Sequence, residues 1–267
     1  MQNLDAGSYS GAILIKRETP NFIVSTSVQT ESHLEIGLHS HKNAHLCFIF
    51  SGQDIERRED RFDYTREPGS LHFYRADEPH KTTHLPRKIK SVNIEFKNNG
   101  QDYLLSEERI QSLEREPYLY ISIFLSLLEE LEYYDNLMDE SIEANCLELI
   151  YARELFASKK TPDWISPLRD IVNEKWNQTL SLSVVAYELN IHPVTLSREF
   201  KLYFGCNFSE YLRRIRIMNS LKLLANSSLS LTQVSYLVGF YDQSHFIRNF
   251  RKYVGCLPKA FRNYSKC

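Results

Sequence analysis

Nine residues recur fifty positions apart: REFKLYFGC from Arg198 to Cys206, and RNFRKYVGC from Arg248 to Cys256. Arg, Phe, Tyr, Gly and Cys occupy five matching places, and Lys201 is answered by Arg251. A short helix written twice restricts the C-terminal part of the chain to an architecture with two like helical units.

The residues around each copy say what the units are. In SLSVVAYELNIHPVTLSREF, Leu182, Val185, Ala186 and Leu189 mark one short helix. Asn190 can take the left-handed turn conformation and Pro193 suits a first helical position, after which Leu196, Phe200 and Tyr203 face inward on a second helix. The small Ala186 lets the two helices cross closely, so the unit reads as a helix-turn-helix. In the second copy Ser230 and Gln233 form a capping box, Ser235 is the small crossing residue, Gly239 makes the turn and Asp242 caps the next helix. Phe246, Phe250 and Tyr253 then repeat the inward spacing, with the turn one residue longer. The stretch SEYLRRIRIMNSLKLLANS between them lacks Gly and Pro and reads as a stiff helical spacer capped by Ser209, with Tyr211, Ile215, Met218 and Leu221 or Lys222 along one side. Two reading helices on such a spacer can enter successive major grooves, which lie ~34 Å apart.

Charge divides the chain in the same place. From Ile165 to the C-terminus 14 Lys and Arg stand against 6 Asp and Glu, a balance of +8, while the preceding 164 residues carry −10. The basic part suits a polyanion and the acidic part does not. A chain of 267 residues is long enough for two domains. The boundaries read as 1–100 for a β-rich part, 101–160 for a helical linker and dimerisation region, and 165–267 for the DNA-binding part, with its two motifs at about 180–204 and 231–254.

The N-terminal part is built of short β-rich runs, AILI, FIVSTSV, HLEIGLH, HLCFIFS, SLHFY and IKSVNIEF, punctuated by turn residues, which reads as a sandwich or barrel. The period then changes. Tyr120, Phe124, Leu127, Leu131 and Tyr134 form one apolar helical stripe, and Ile142, Cys146, Leu149, Ile150 and Phe156 a second. The stripes either pack on the barrel or form a seam. We expect a homodimer whose contact runs through Tyr120, Phe124, Leu127 and Leu131.

Other classes are excluded or disfavoured. The N-terminus holds only four consecutive apolar residues, short of the ~7 to 15 of a signal peptide. The longest apolar stretch, YLYISIFLSLLEELEYY, is broken by Glu129 and Glu130 before it reaches the ~18 residues of a membrane span. Five scattered cysteines without a CxxC pair suit reduced thiols. A soluble cytoplasmic protein is the expectation.

The block from about Leu180 to Tyr264, and above all VGFYDQSHFIRNFRKYVGCLPKAFR, resembles the DNA-binding domain of AraC/XylS-type transcription regulators. The resemblance implies a regulator, not an enzyme, that binds double-stranded promoter DNA, contacts RNA polymerase and acts as an activator. It places Val194, Ser197 and Arg198 on the reading face of the first recognition helix, and Gln243, Ser244, His245 and Arg248 on that of the second. Lys201, Arg251 and Lys252 would lie near phosphates. Arg suits guanine O6 and N7 and Gln suits adenine N6 and N7. Asn190 stands where the family often has Gly, and Val194 can read only a thymine methyl group.

Seven of nine histidines fall between His33 and His84. GLHSHKNAHLCFIFSG resembles the first cupin motif with His45 in place of its Glu, and GSLHFYRADEPHKTTH resembles the second, with His80 at its last ligand place. The two resemblances together imply an α+β protein: an N-terminal cupin-like β-barrel with following helices, and a C-terminal all-α domain of two helix-turn-helix motifs. The barrel would sense a small-molecule effector through His39, His41, His45 and His80. In metal cupins these four places converge, a set suited to a divalent transition metal such as zinc, iron, copper or nickel. The same histidines also serve as hydrogen-bonding pocket residues without metal, and both readings stand. The alternative function is a metal-dependent cupin enzyme carrying a DNA-binding domain.

Overall fold

The computed structural model describes residues 1–30, 37–58, 63–84, 88–97, 106–115, 117, 120–132, 137–151 and 162–266. It divides into two compact units, one of residues 1–152 with 225–227 and 259–267, the other of residues 153–224 with 228–258.

The first unit carries ten strands, β1 (Gln2–Leu4), β2 (Ala12–Glu18), β3 (Phe22–Gln29), β4 (His39–His41), β5 (His45–Ser51), β6 (Asp54–Arg58), β7 (Tyr64–Arg66), β8 (Leu71–Tyr74), β9 (His80–His84) and β10 (Ile89–Phe96). They form two five-stranded sheets, ordered β1-β4-β9-β6-β7 and β2-β3-β10-β5-β8. Most neighbours are antiparallel; β1 runs parallel to β4. The architecture is a two-sheet β-roll, and among the described residues the hydrogen bonding does not run on from one sheet to the other.

Helices α1 (Glu107–Arg115), α2 (Ile121–Glu132) and α3 (Met138–Tyr151) follow, and α2 packs on β2 and β3. Alternation along the strands explains the layering, because successive side chains point to opposite faces. On β5, Leu46, Phe48 and Phe50 are buried on one face, where Phe48 stacks on Phe124 of α2 with ring centroids 4.6 Å apart. His45, Cys47 and Ile49 face the other way, into a cavity between the sheets. The apolar face thus meets the helices and the polar face meets the cavity.

This layering corrects the expected dimer seam. Tyr120, Phe124, Leu127 and Leu131 are all buried in the chain's own core. Helix α2 also buries Ile121, Ile123, Leu125 and Leu128, and turns Ser122, Ser126 and Glu129 outward along one side, as befits an amphipathic helix packed on its own core. Tyr134 and Phe156 lie outside the described residues, as does most of the strand expected at HLEIGLH.

The second unit holds α4 (Ile165–Lys175), α5 (Leu182–Glu188), α6 (Pro193–Phe204), α7 (Phe208–Asn226), α8 (Leu231–Leu237) and α9 (Gln243–Val254), and the last helix is α10 (Pro258–Lys266). Helices α5–α6 and α8–α9 are the two motifs. Ala186 and Ser235 are fully buried at their crossings. Asn190 and Gly239 make the turns with φ of +53° and +78°. Ser230 and Gln233 form the capping box, and Asp242 accepts from the backbone N–H of His245. Two details differ from expectation on α7. Asn207 rather than Ser209 supplies its cap, through its side-chain oxygen to the N–H of Glu210. Its core face runs through Tyr211, Leu212, Ile217, Ser220, Leu221 and Leu224, leaving Ile215 and Met218 half-buried.

Candidate functional sites: a histidine cavity and two reading helices

The cavity between the sheets has a volume of about 30 Å³. His39 and His41 reach it from β4, His80 from β9 and His45 from β5. His39 and His41 are two apart on one strand and so share a face, and His80 is His39's register partner. All four rings are buried. The structure brings three together as a set with ligand spacing: one ring nitrogen each of His39, His41 and His80 lies within 4.8 Å of the others. His45 stands beside them, its ring 4.5 Å from that of His41 and stacked on Tyr74 at 4.6 Å.

The rings of this triad are held in one tautomer. Nδ1 of His39 lies 3.0 Å from the carbonyl oxygen of Gly37, Nδ1 of His41 3.1 Å from that of Ser8, and Nδ1 of His80 3.0 Å from that of Glu78. A carbonyl only accepts, so each Nδ1 carries the proton and donates it, and each Nε2 keeps its lone pair. Burial keeps the rings neutral: it lowers His41 to about 3, with His80 and His39 adding to the effect, and lowers His80 to about 4. Burial likewise lowers His39 and His45. Three neutral rings with their outer N–H groups tied to the backbone are arranged as metal-bound histidines are.

The charged residues of β6 and β7 support one side of the cavity. Glu56 accepts from the Tyr74 hydroxyl at 3.1 Å and from the Tyr64 hydroxyl, and pairs with Arg66 at 3.0 Å. Arg66 also pairs with Asp54, and Arg58 donates to the carbonyl of Phe73 and pairs with Glu78. Burial raises the Glu56 carboxyl, but Arg66 and its other cationic and hydroxyl neighbours outweigh that and bring it down to about 2. It therefore stays ionised beside the histidines. This network was missed from the sequence because DIERR and YTR carry no apolar alternation. The usable signal was their place between turn residues in a run of strands.

In the second unit, the residues expected to read DNA divide by exposure. On α6, Val194, Ser197, Arg198 and Lys201 are exposed at spacings of three and four, hence on one side of the helix. On α9, Ser244, Arg248, Arg251 and Lys252 are exposed on the corresponding side. Gln243 is half-buried and its side-chain oxygen accepts from the Thr232 hydroxyl at 2.5 Å. His245 is also half-buried, its ring 5.3 Å from that of Phe240. Lys252 lies 3.6 Å from Glu210.

Residues 185–264 match the family described as a helix-turn-helix domain. The Msm operon regulatory protein of Streptococcus mutans serotype c (strain ATCC 700610 / UA159) is 27% identical over 106 residues, 40% of this chain and 38% of its own length. The transcriptional activator AggR of Escherichia coli is 28% identical over 99 residues, 37% of each protein. The chain thus spans under two fifths of the length of these relatives. Among solved structures, the C-terminal domain of the two-component response regulator yesN from Fusobacterium nucleatum subsp. nucleatum ATCC 25586 is 30% identical, covering 38% of this chain and 99% of that one, with a TM-score of 0.36. ToxT from Vibrio cholerae is 15% identical, covering 91% of this chain and 98% of that one, with a TM-score of 0.38. No helix among the described residues is long and apolar enough to cross a membrane.

Proposed function

Residues 185–264 form an AraC-type helix-turn-helix domain, and from that premise we propose that the protein is a sequence-specific DNA-binding transcription regulator controlled by a small effector in the histidine cavity. The observation that carries the DNA reading is the matched pair of helices. Arg198 on α6 and Arg248 on α9 occupy the same place in the repeat and both are exposed on a unit of positive charge. Each side chain can bridge guanine O6 and N7, while Lys201, Arg251 and Lys252 on the same faces suit phosphates. Relatives such as AggR are named transcriptional activators, and activation through contact with RNA polymerase is the corresponding role for this chain.

The cavity residues fit a divalent transition metal ion. His39, His41 and His80 would hold it through Nε2, with His45 flanking it and the buried Glu56–Arg66 pair on one side of the cavity. When bound, the ion supplies a positive charge that ties β4 to β9. A volume of about 30 Å³ admits an ion with water, since one water needs at least about 10 to 15 Å³.

A titration of the full chain tests this reading. The chain is stripped with chelator, reloaded with zinc, nickel or iron, and bound to a duplex selected from a random library and to an unselected duplex. The expected result is a preference for the selected duplex of ~10³ or more, with the metal changing specific affinity but not that for the unselected duplex. Equal affinity for both duplexes overturns the DNA reading, and indifference to every metal overturns the metal reading.

A further inference from the structure

Arg216 stands in the middle of α7, the helix between the two motifs, and its guanidinium donates to three backbone carbonyls, two from the α4–α5 connection and one from the turn before α9. Nε lies 2.8 Å from the oxygen of Trp176, Nη2 2.7 Å from that of Gln178, and Nη1 2.8 Å from that of Gly239. Trp176 closes the C-terminal end of α4, where the helix dipole is negative. Gln178 lies in the loop leading to α5, and Gly239 is the turn between α8 and α9. The turn also touches the loop directly: a Cβ on Gly239 would come within 2.6 Å of the carbonyl oxygen of Asn177. Glycine at that position therefore serves the close approach as well as the positive φ.

The other end of α4 is tied to the first reading helix. Trp164, immediately before α4, stacks over Phe200 of α6 with ring centroids 6.3 Å apart, and its indole N–H donates to Glu199 at 3.0 Å. A continuous path of packed and hydrogen-bonded groups thus runs from α6 through Trp164 and α4 to Arg216, and from Arg216 to the turn that starts α9. Helix α7 joins the motifs end to end, and this second path links them again through α4.

We propose that Arg216 is a positioning residue that sets the separation at which the two reading helices engage DNA. The proposal rests on the DNA-binding reading above and adds to it how the reading length is fixed. Arginine suits the task because its planar fork presents donors in fixed directions. A lysine ammonium is a point charge that cannot span three carbonyls in the same way. Loss of the latch leaves each motif with its own caps and core, so each still recognises its own half of the site. What is lost is the gain from engaging both halves at one fixed separation.

The test is selection of the full chain, and of its Arg216→Gln and Arg216→Lys variants, on a random duplex library, followed by affinities for the enriched site with its halves moved apart. The unaltered chain should enrich two sub-motifs at one separation, about one helical turn, and lose about tenfold or more in affinity when about two base pairs are inserted between them. Arg216→Gln should enrich the same two sub-motifs at several separations and lose about twofold or less on insertion, with Arg216→Lys between. Amide exchange should quicken at residues 176–178 and 239–242 in Arg216→Gln, a readout that needs no DNA. If Arg216→Gln does not fold by circular dichroism, Arg216→Lys decides, and its insertion penalty must fall below that of the unaltered chain. An unchanged single separation in the folded variants overturns the proposal. Loss of one sub-motif also overturns it, by making Arg216 a DNA contact instead. No paired motif for the unaltered chain overturns the DNA reading itself.

Discussion

His39 and His80 are register partners on β4 and β9, with ring centroids 4.5 Å apart and each Nδ1 donating to a backbone carbonyl. Their remaining lone pairs share one cavity with that of His41. The protein purified without chelator is accordingly expected to carry near-stoichiometric metal by elemental analysis, and His80→Ala to carry less. Replacing His39 and His41 together by Ala should abolish the effector response in a reporter assay while leaving DNA binding by the full chain in the absence of effector intact. A metal-free protein and an unchanged response would together remove the cavity from the account.

Glu56 gives a prediction with a pH signature. Its pairing with Arg66 is buried, and removing one partner of such a pair costs ~3 to 5 kcal/mol because the other is left unpaired. Glu56→Gln should lower stability by that order in denaturant melts near neutral pH. The carboxyl sits at about 2 in the folded chain against an ordinary 4.5. Its contribution is therefore fully present above pH 4.5 and is lost as pH falls through 2. The difference between Glu56→Gln and the unaltered chain should shrink over that interval; a constant difference would assign the cost to packing alone.

Phe124 separates the core reading of α2 from the seam reading. It is fully buried and stacked on Phe48, so Phe124→Ala should cost ~3 to 5 kcal/mol of stability through the cavity it leaves. Sedimentation of the folded variant should match that of the unaltered chain. A change in association state with unchanged stability would restore the seam.

Arg248 tests direct base reading. Arg248→Ala should cost ~1 to 3 kcal/mol at the specific site and far less on random duplex, measured by fluorescence anisotropy at fixed salt. Equal losses on both would make it a phosphate contact.

The helical half was legible because its signals are local. Pro193, Asn190, the capping box of Ser230 and Gln233, and the inward spacing of Leu196 and Phe200 each act within a few residues, and each stands in the structure as read. The β-roll was legible only in its apolar strands. Strands β6 and β7 place Asp54, Glu56, Arg58 and Arg66 inward, where partners from distant segments satisfy them, and charge in a sequence reads as solvent-facing until those partners are known. The seam through Phe124 failed for a related reason. An apolar stripe shows that a helix needs a partner and not which one, and the outer face of β5 supplied it. The histidines were named from spacing, while the tautomers that make three of them a set depend on carbonyls of Ser8, Gly37 and Glu78.

Genome-wide footprinting of the chain on the DNA of its source organism tests the central claim most directly. The account predicts discrete footprints upstream of genes, sharing a two-part motif whose halves lie about one helical turn apart, with occupancy that changes when the effector cavity is altered at His39 and His41. Binding spread evenly along the genome, with no shared motif, would contradict it.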